Sequence, residues 1–185
     1  MIWFSKLYRL FFSWLDKLRS YVLILHYRIM YPSLKIDFHT YIGKGATIIC
    51  CDGAICKIKN THIAKGVYIK VELNATLKIV EAYIGADSMI VANHHIVIGS
   101  HCSVGEMVVI RDQNHTYGSG RLIKNSGYEV GKIVLHENVW VGAKATILKG
   151  VEIGKNSVVG AHSLVNKSFP PESIVVGIPA GRINQ

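Results

Sequence analysis

Two hydrophobic rhythms divide the chain. Over residues 2–31, Phe4, Leu7, Phe11, Trp14, Leu18, Tyr21 and Leu25 recur at three- and four-residue steps, the period of an α-helix with one apolar stripe. Lys6, Arg9, Ser13, Lys17, Arg19 and Ser20 mostly fall off that stripe, and no Gly or Pro interrupts it before Pro32, which ends the helix. From about Ile36 the helical period disappears. From Leu135 an aliphatic residue falls at every sixth position, at Leu135, Val141, Ile147, Ile153, Val159 and Val165. A Gly often follows it, and the pattern recurs earlier at Ile42/Ile48, Ile63/Ile69, Ile84/Ile90 and Ile98/Val104/Ile110. A fixed period this short means that one structural unit repeats.

Within each hexad the first position is aliphatic and the fifth is small, as at Ala46, Cys102, Ala145, Ser157 and Ser163. A coil with a dry interior needs that arrangement: a large residue points inward along a flat side and a small one sits near a tight corner. Six residues of strand cover about 20 Å, so three hexads make one triangular coil, and stacked coils pair their strands in parallel. The spacing predicts a helical segment over 1–35, repeats over 36–169 and a closing cap over 170–185. Residues 50–62 and 70–83 fit the hexad poorly, which predicts altered corners or small excursions. Residues 116–133 break it altogether and read as an inserted loop, the kind of departure from a regular scaffold that carries function.

Charge and cysteine usage narrow the partners. The formal net charge is +9, and residues 1–36 carry six basic groups against Asp16 alone. This balance suits an anionic membrane face or a phosphate-bearing ligand. Nucleic acid is not expected, because no recognition-helix pattern or basic-aromatic interleaving appears in the repeats. Cys50, Cys51, Cys56 and Cys102 form no CxxC pair and read as packing residues in a reducing, cytoplasmic compartment. No cleavable signal peptide stands out, and the apolar run 21–25 is too short to span a bilayer. Two expectations compete for the helix: its stripe packs on the repeats or a neighbouring subunit, or it lies on the inner membrane surface.

The stretch Asn138-Val139-Trp140-Val141-Gly142-Ala143, then Ile147 to Gly154, Val159-Gly160-Ala161, Lys167-Ser168-Phe169-Pro170-Pro171 and Gly177-Ile178-Pro179-Ala180 resembles the C-terminal signature of the hexapeptide-repeat acyltransferases. The resemblance implies an all-β fold, a left-handed parallel β-helix, preceded here by the amphipathic helix. Within that family the chain looks most like the acetyl-CoA-dependent O-acetyltransferases of sugars and surface polysaccharides, which implies acetyl-CoA as co-substrate, no metal, a carbohydrate acceptor and a homotrimer. The motif Ile110-Arg111-Asp112-Gln113-Asn114-His115 lies just before the inserted loop, where relatives carry a His as general base. Ala92-Asn93 matches a position whose Asn contacts the acceptor. For the donor, the resemblance points to backbone groups near Ala143 and Ala161 for pantetheine, Trp140 walling the thioester, and Asn166, Lys167 and Arg182 for the phosphates. Two departures stand out: His162 occupies a position that is often Gly, and the basic residue after Pro179-Ala180 comes one step late, as Arg182.

Acetyl transfer to a hydroxyl needs a base, because the oxygen is a poor nucleophile until its proton is taken, and an imidazole titrating near neutrality suits that task. His115 is the candidate base. Asp112 or Glu106 is a candidate to orient its ring, and Asn93, His95, Asp112 and Asn114 are candidates to line the acceptor pocket, with His94 beside them. His101, His136 and His162 read as corner residues, and Asn93 has a second reading as an Asn in a left-handed corner. An N-acetyltransferase acting on serine or an amino sugar is the near alternative. A γ-carbonic-anhydrase-like zinc enzyme is the distant one; it would need a His-x4-His pair, which the chain lacks. A third reading is a non-catalytic scaffold or membrane-surface module.

Overall fold

The computed structural model describes residues 2–118, 120 and 122–183, with side chains from Tyr8 onward. The stripe positions Phe4 and Leu7 and the loop residues Ser119 and Arg121 therefore lie outside the described side chains. One helix, α1 (Ile2–Met30), is followed by short strands that wind into a parallel β-solenoid of six stacked coils. The first face stacks Leu34–Ile36, Ile55–Lys59, Thr76–Val80, His95–Ile98, Ile133–Leu135 and Glu152–Ile153. The second face runs from Tyr41–Ile42 through His62–Ile63, Tyr83–Ile84, Ser103–Val104, Trp140–Val141 and Val158–Val159 to Ile174–Gly177. The third face stacks Thr47–Cys50, Tyr68–Val71, Met89–Ala92, Val109–Arg111, Thr146–Ile147 and Leu164–Val165.

The inward column of the second face shows why the pattern gives this fold. Ile42, Ile63, Ile84, Val104, Val141, Val159 and Val175 stand in register, one per strand, and all are fully buried. The five small fifth-position residues are buried as well. Corners are turned through left-handed backbone, with positive φ at Asn60, Asn74, Asn138 and Asn156 and also at His101 and His162. Asn tolerates that region better than most residues because its side chain can bond locally. His101 and His162 are thus corner residues. His136 instead pairs its Nε2 with Glu152 at 2.6 Å.

The excursions expected over 50–62 and 70–83 are absent. Ile55–Lys59 and Thr76–Val80 are regular five-residue strands, each sending two residues inward, Cys56/Ile58 and Leu77/Ile79. The early coils are simply longer: Ile42 and Ile63 are 21 residues apart in register, whereas Val141 and Val159 are 18 apart. A strict six-residue count loses phase there although the coil continues.

The helix stripe does not pack on the repeats of its own chain, which corrects that part of the expectation. Ser20, Ile24 and Tyr27 seat α1 on the first coil, while Phe11, Trp14, Leu18, Tyr21 and Leu25 remain exposed. The seating face is chosen by hydrogen bonding. The first coil has no coil beneath it, so half of its backbone groups lack a ladder partner. Ser20 Oγ accepts the Ile42 N–H at 2.8 Å, the Arg19 guanidinium donates to the Ile42 carbonyl at 2.8 Å, and Tyr27 Oη accepts the Ile48 N–H at 3.2 Å. Ser20→Ala leaves the buried Ile42 N–H unpaired and should cost about 1–2 kcal/mol, read as a lower midpoint in thermal unfolding. At the other end, Ile174–Gly177 pairs antiparallel with Ala180–Arg182, and Phe169 bridges to Ile153.

Candidate active site

The third strand of the fourth coil does not turn its corner normally. After Val109–Arg111 the chain leaves the solenoid as a hairpin, Gln113–His115 against Tyr128–Val130, and returns at Ile133–Leu135. A short 3-10 turn, Ile123–Asn125, shapes its tip. The Thr116 hydroxyl donates to the Ser126 carbonyl and the Ser126 hydroxyl to the Thr116 carbonyl, tying the two arms together. Lys149 reaches Glu129 at 3.0 Å and pins the hairpin to the coil above.

Asp112 sits at the hinge of this departure and is fully buried. Its Oδ1 accepts the Asn93 N–H at 2.7 Å, and its Oδ2 accepts those of His94 and His95 at 2.9 and 2.7 Å. Its carbonyl accepts the Gly131 N–H at 2.9 Å, so one residue holds both ends of the excursion and the turn one coil below. The carboxylate is occupied by the turn rather than by the His115 ring. Charge-assisted bonds of this kind are the strong ones.

The turn so fixed presents Asn93 and His95. Asn93 does not adopt a left-handed conformation, unlike the corner asparagines. Its side-chain Oδ1 is buried without a hydrogen-bond partner among the described residues, as is Oε1 of the neighbouring Gln113. Burial holds the His95 imidazole below its ordinary value of 6.5; Lys132 and His94 push the same way and Asp112 opposes them. Burial lowers His62 likewise. Because both folded values lie below 6.5, the unfolded chain takes up protons first as pH falls. Stability should therefore decline as pH drops through 6.5 toward the folded values and level off below them. Histidine NMR titration checks this, with both midpoints expected under 6.5.

His115 and Asn114 lie exposed on the hairpin, opposite Tyr128 and Glu129. The His115 ring packs on Tyr128, centroids 4.6 Å apart. The apolar side chains of Tyr117, Leu122, Ile123, Tyr128 and Val130 around it all face outward. Sequence reasoning missed Tyr128, Lys132 and Gln113. Lys132 lies at the end of the expected loop 116–133, but no spacing announces that its charge acts on His95.

The donor-side candidates lie elsewhere on the coil. Trp140 is exposed on the second face, between Ser103 and Val158. Ala143 and Ala161 stack at the corner between the second and third faces. The close stacking there excludes side chains: a Cβ on Gly142 would stand 2.5 Å from the Ala161 nitrogen. Asn166 and Lys167 are exposed at the next corner, where the Lys167 ammonium lies 5.7 Å from the Phe169 ring centroid, and Arg182 is exposed on the terminal hairpin. Within one chain the Asn93–His115 group and the Trp140–Ala143–Ala161 group are not brought together. A strand width of about five residues, roughly 15 Å, lies between them.

Residues 132–167 match the bacterial transferase hexapeptide family (six repeats). This stretch carries the hexapeptide repeat of that transferase family. The chain is 36% identical over 121 residues to a galactoside O-acetyltransferase of Lactococcus lactis, covering 65% of this chain and 51% of that protein. It is 32% identical over 103 residues to the galactoside O-acetyltransferase of Escherichia coli, covering 56% and 50%. The chain thus spans about half the length of these curated relatives. Its fold resembles that of AntD, an N-acyltransferase from Bacillus cereus solved as a mutant with dTDP and coenzyme A, with a TM-score of 0.68 at 20% identity over 85% of this chain and 86% of that one. It also resembles PerB from Caulobacter crescentus, solved with CoA and GDP-perosamine, with a TM-score of 0.57 at 19% identity over 91% and 67%.

Proposed function

We propose that this hexapeptide-repeat protein is an acetyl-CoA-dependent O-acetyltransferase acting on a sugar or a surface-polysaccharide precursor. One observation carries the reading. The buried Asp112 carboxylate fixes the Asn93–His95 turn directly beside the strand that presents His115, leaving an unspent Asn93 amide oxygen and an accessible imidazole at one corner. Asn93 would hold a sugar hydroxyl through its amide, which both donates and accepts. His115 would take the proton of the reacting hydroxyl as its oxygen attacks the thioester carbonyl. The C–S bond then breaks, and the imidazolium returns the proton to the leaving thiolate, so the group ends neutral. Asp112 acts through the turn as a positioning residue.

The donor would lie along Trp140, Ala143 and Ala161, with Asn166, Lys167 and Arg182 meeting its phosphates. Trp140, Ala143 and Ala161 lie at a different corner from His115, and a site completed by a second copy of the chain would account for that separation, in keeping with the homotrimer that the family resemblance implies. Hydroxyl transfer is favoured over amine transfer because two relatives above 30% identity are named as galactoside O-acetyltransferases, whereas the named N-acyltransferase shares only the fold.

Titration calorimetry with acetyl-CoA tests the donor half. Wild type should bind it, and Lys167→Ala/Arg182→Ala should weaken binding roughly tenfold or more, since each lost charge-assisted contact is worth about 1.5–3 kcal/mol. An acceptor screen then follows, in which an ester product is cleaved by mild base and an amide product is not. No binding at millimolar donor overturns the transferase reading.

A further inference from the structure

The apolar stripe of α1 that does not seat the solenoid runs the length of the described helix. Phe11, Trp14, Leu18, Val22, Leu25 and Ile29 recur at three- and four-residue steps on the side opposite Ser20, Ile24 and Tyr27. All six are exposed, Trp14 by 58% and Ile29 by 77%. Because the helix lies across the open end of the first coil, this stripe faces away from the solenoid. Only Tyr21, at its border, has an aromatic neighbour on the coils, Phe38, at 6.3 Å between ring centroids.

The coils just above the helix are cationic on their first face. Lys35, Lys57 and Lys78 stand in register on three successive strands, about 4.8 Å apart. Lys59 lies two residues beyond Lys57 on the same strand, and the Arg28 guanidinium lies 5.2 Å from the Phe38 ring centroid. None of these five cations forms an ion pair among the described residues. The nearby Asp37 carboxylate is occupied by Thr40 and the Asn60 N–H. Like charges placed directly opposite on neighbouring strands destabilise a sheet, so the row needs an anionic partner to offset it.

We propose that this end of the molecule docks on an anionic bilayer surface. The α1 stripe would enter the headgroup boundary, and the Lys35–Lys57–Lys78 row, rising from that plane with Lys35 nearest it, would add its positive field toward the lipid phosphates. An aromatic apolar stripe beside cations is the chemistry of a helix lying in the interface plane. No helix among the described residues is long and apolar enough to cross a membrane. A second copy of this chain is the weaker occupant: it would cover the stripe but bring another lysine row toward the first. The proposal does not depend on the transferase reading.

The test is flotation of the full chain with vesicles of phosphatidylcholine alone and with added phosphatidylglycerol. The protein should float only with the anionic vesicles and release as salt rises. Trp14→Glu/Leu18→Glu should weaken binding by roughly a hundredfold, since two buried apolar side chains are lost. Lys57→Glu/Lys78→Glu should weaken it about fivefold for each charge removed. Both variants alter exposed side chains, so an unchanged thermal midpoint confirms that they fold. Absence of flotation with anionic vesicles, or flotation indifferent to both variants, overturns the proposal. A loss of oligomer mass in Trp14→Glu/Leu18→Glu with flotation unchanged also overturns it, because the stripe is then a contact between copies.

Discussion

His115→Ala should lower kcat by roughly 10²–10⁴, the range that general-base catalysis contributes, while acetyl-CoA affinity stays within about twofold. The separation follows from where the residue sits. Its ring touches only the Tyr128 ring among the described aromatic groups and is exposed on a hairpin, so its removal opens no cavity in the core. The unfolding midpoint should therefore move little, and the loss should appear in turnover rather than in protein content. The donor candidates lie on later coils and keep their contacts. Steady-state kinetics with a sugar acceptor, paired with calorimetry on acetyl-CoA, measures both quantities. A variant that keeps wild-type turnover removes His115 from the reaction.

Asp112→Ala should be the most destabilising change near the site. It strands the N–H groups of Asn93, His94 and His95, all of which now point at a buried carboxylate. Each buried donor left unpaired costs about 1–3 kcal/mol. Allowing for some entry of water, a loss of about 3–5 kcal/mol is expected. For a chain of this size that lowers the unfolding midpoint by roughly 10 °C. The surviving folded protein should show a raised acceptor KM, because the turn carrying Asn93 and His95 is no longer held. Its acetyl-CoA affinity should stay near that of wild type. A residue that merely packed would lower stability without that selective change in KM.

The solenoid is readable from the hexads because a buried column of one aliphatic residue per strand leaves a direct imprint on the sequence, as at Val141, Ile147, Ile153 and Val159. The reading weakened over residues 50–62 because a longer coil with two inward residues on its first face has no fixed count of six. The helix was legible as a helix, but its seating face was not. Apolar spacing shows where greasy residues fall, whereas α1 is held by Ser20, Arg19 and Tyr27, whose task is to satisfy strand backbone that no sequence pattern displays. The site divides in the same way. The position of His115 follows from the motif at the point where the repeat breaks. The work of Asp112 does not, because its partners are three main-chain amides in another coil. Gln113, Lys132 and Tyr128 join the site only through the path of the hairpin.

The placement of α1 across the end of the first coil has a metric consequence. The Asn93–His95 turn leads from the third coil into the fourth, and successive strands lie about 4.8 Å apart. The corner that presents Asn93 therefore stands roughly 15 Å above the plane of the helix, and that height is counted in whole coils. Inserting or removing one coil between Ile36 and Thr76 would raise or lower the corner by about 4.8 Å while leaving every contact within it intact. The early repeats act as a graduated pedestal, and the distance from base to corner can be reset in discrete steps without redesigning either end.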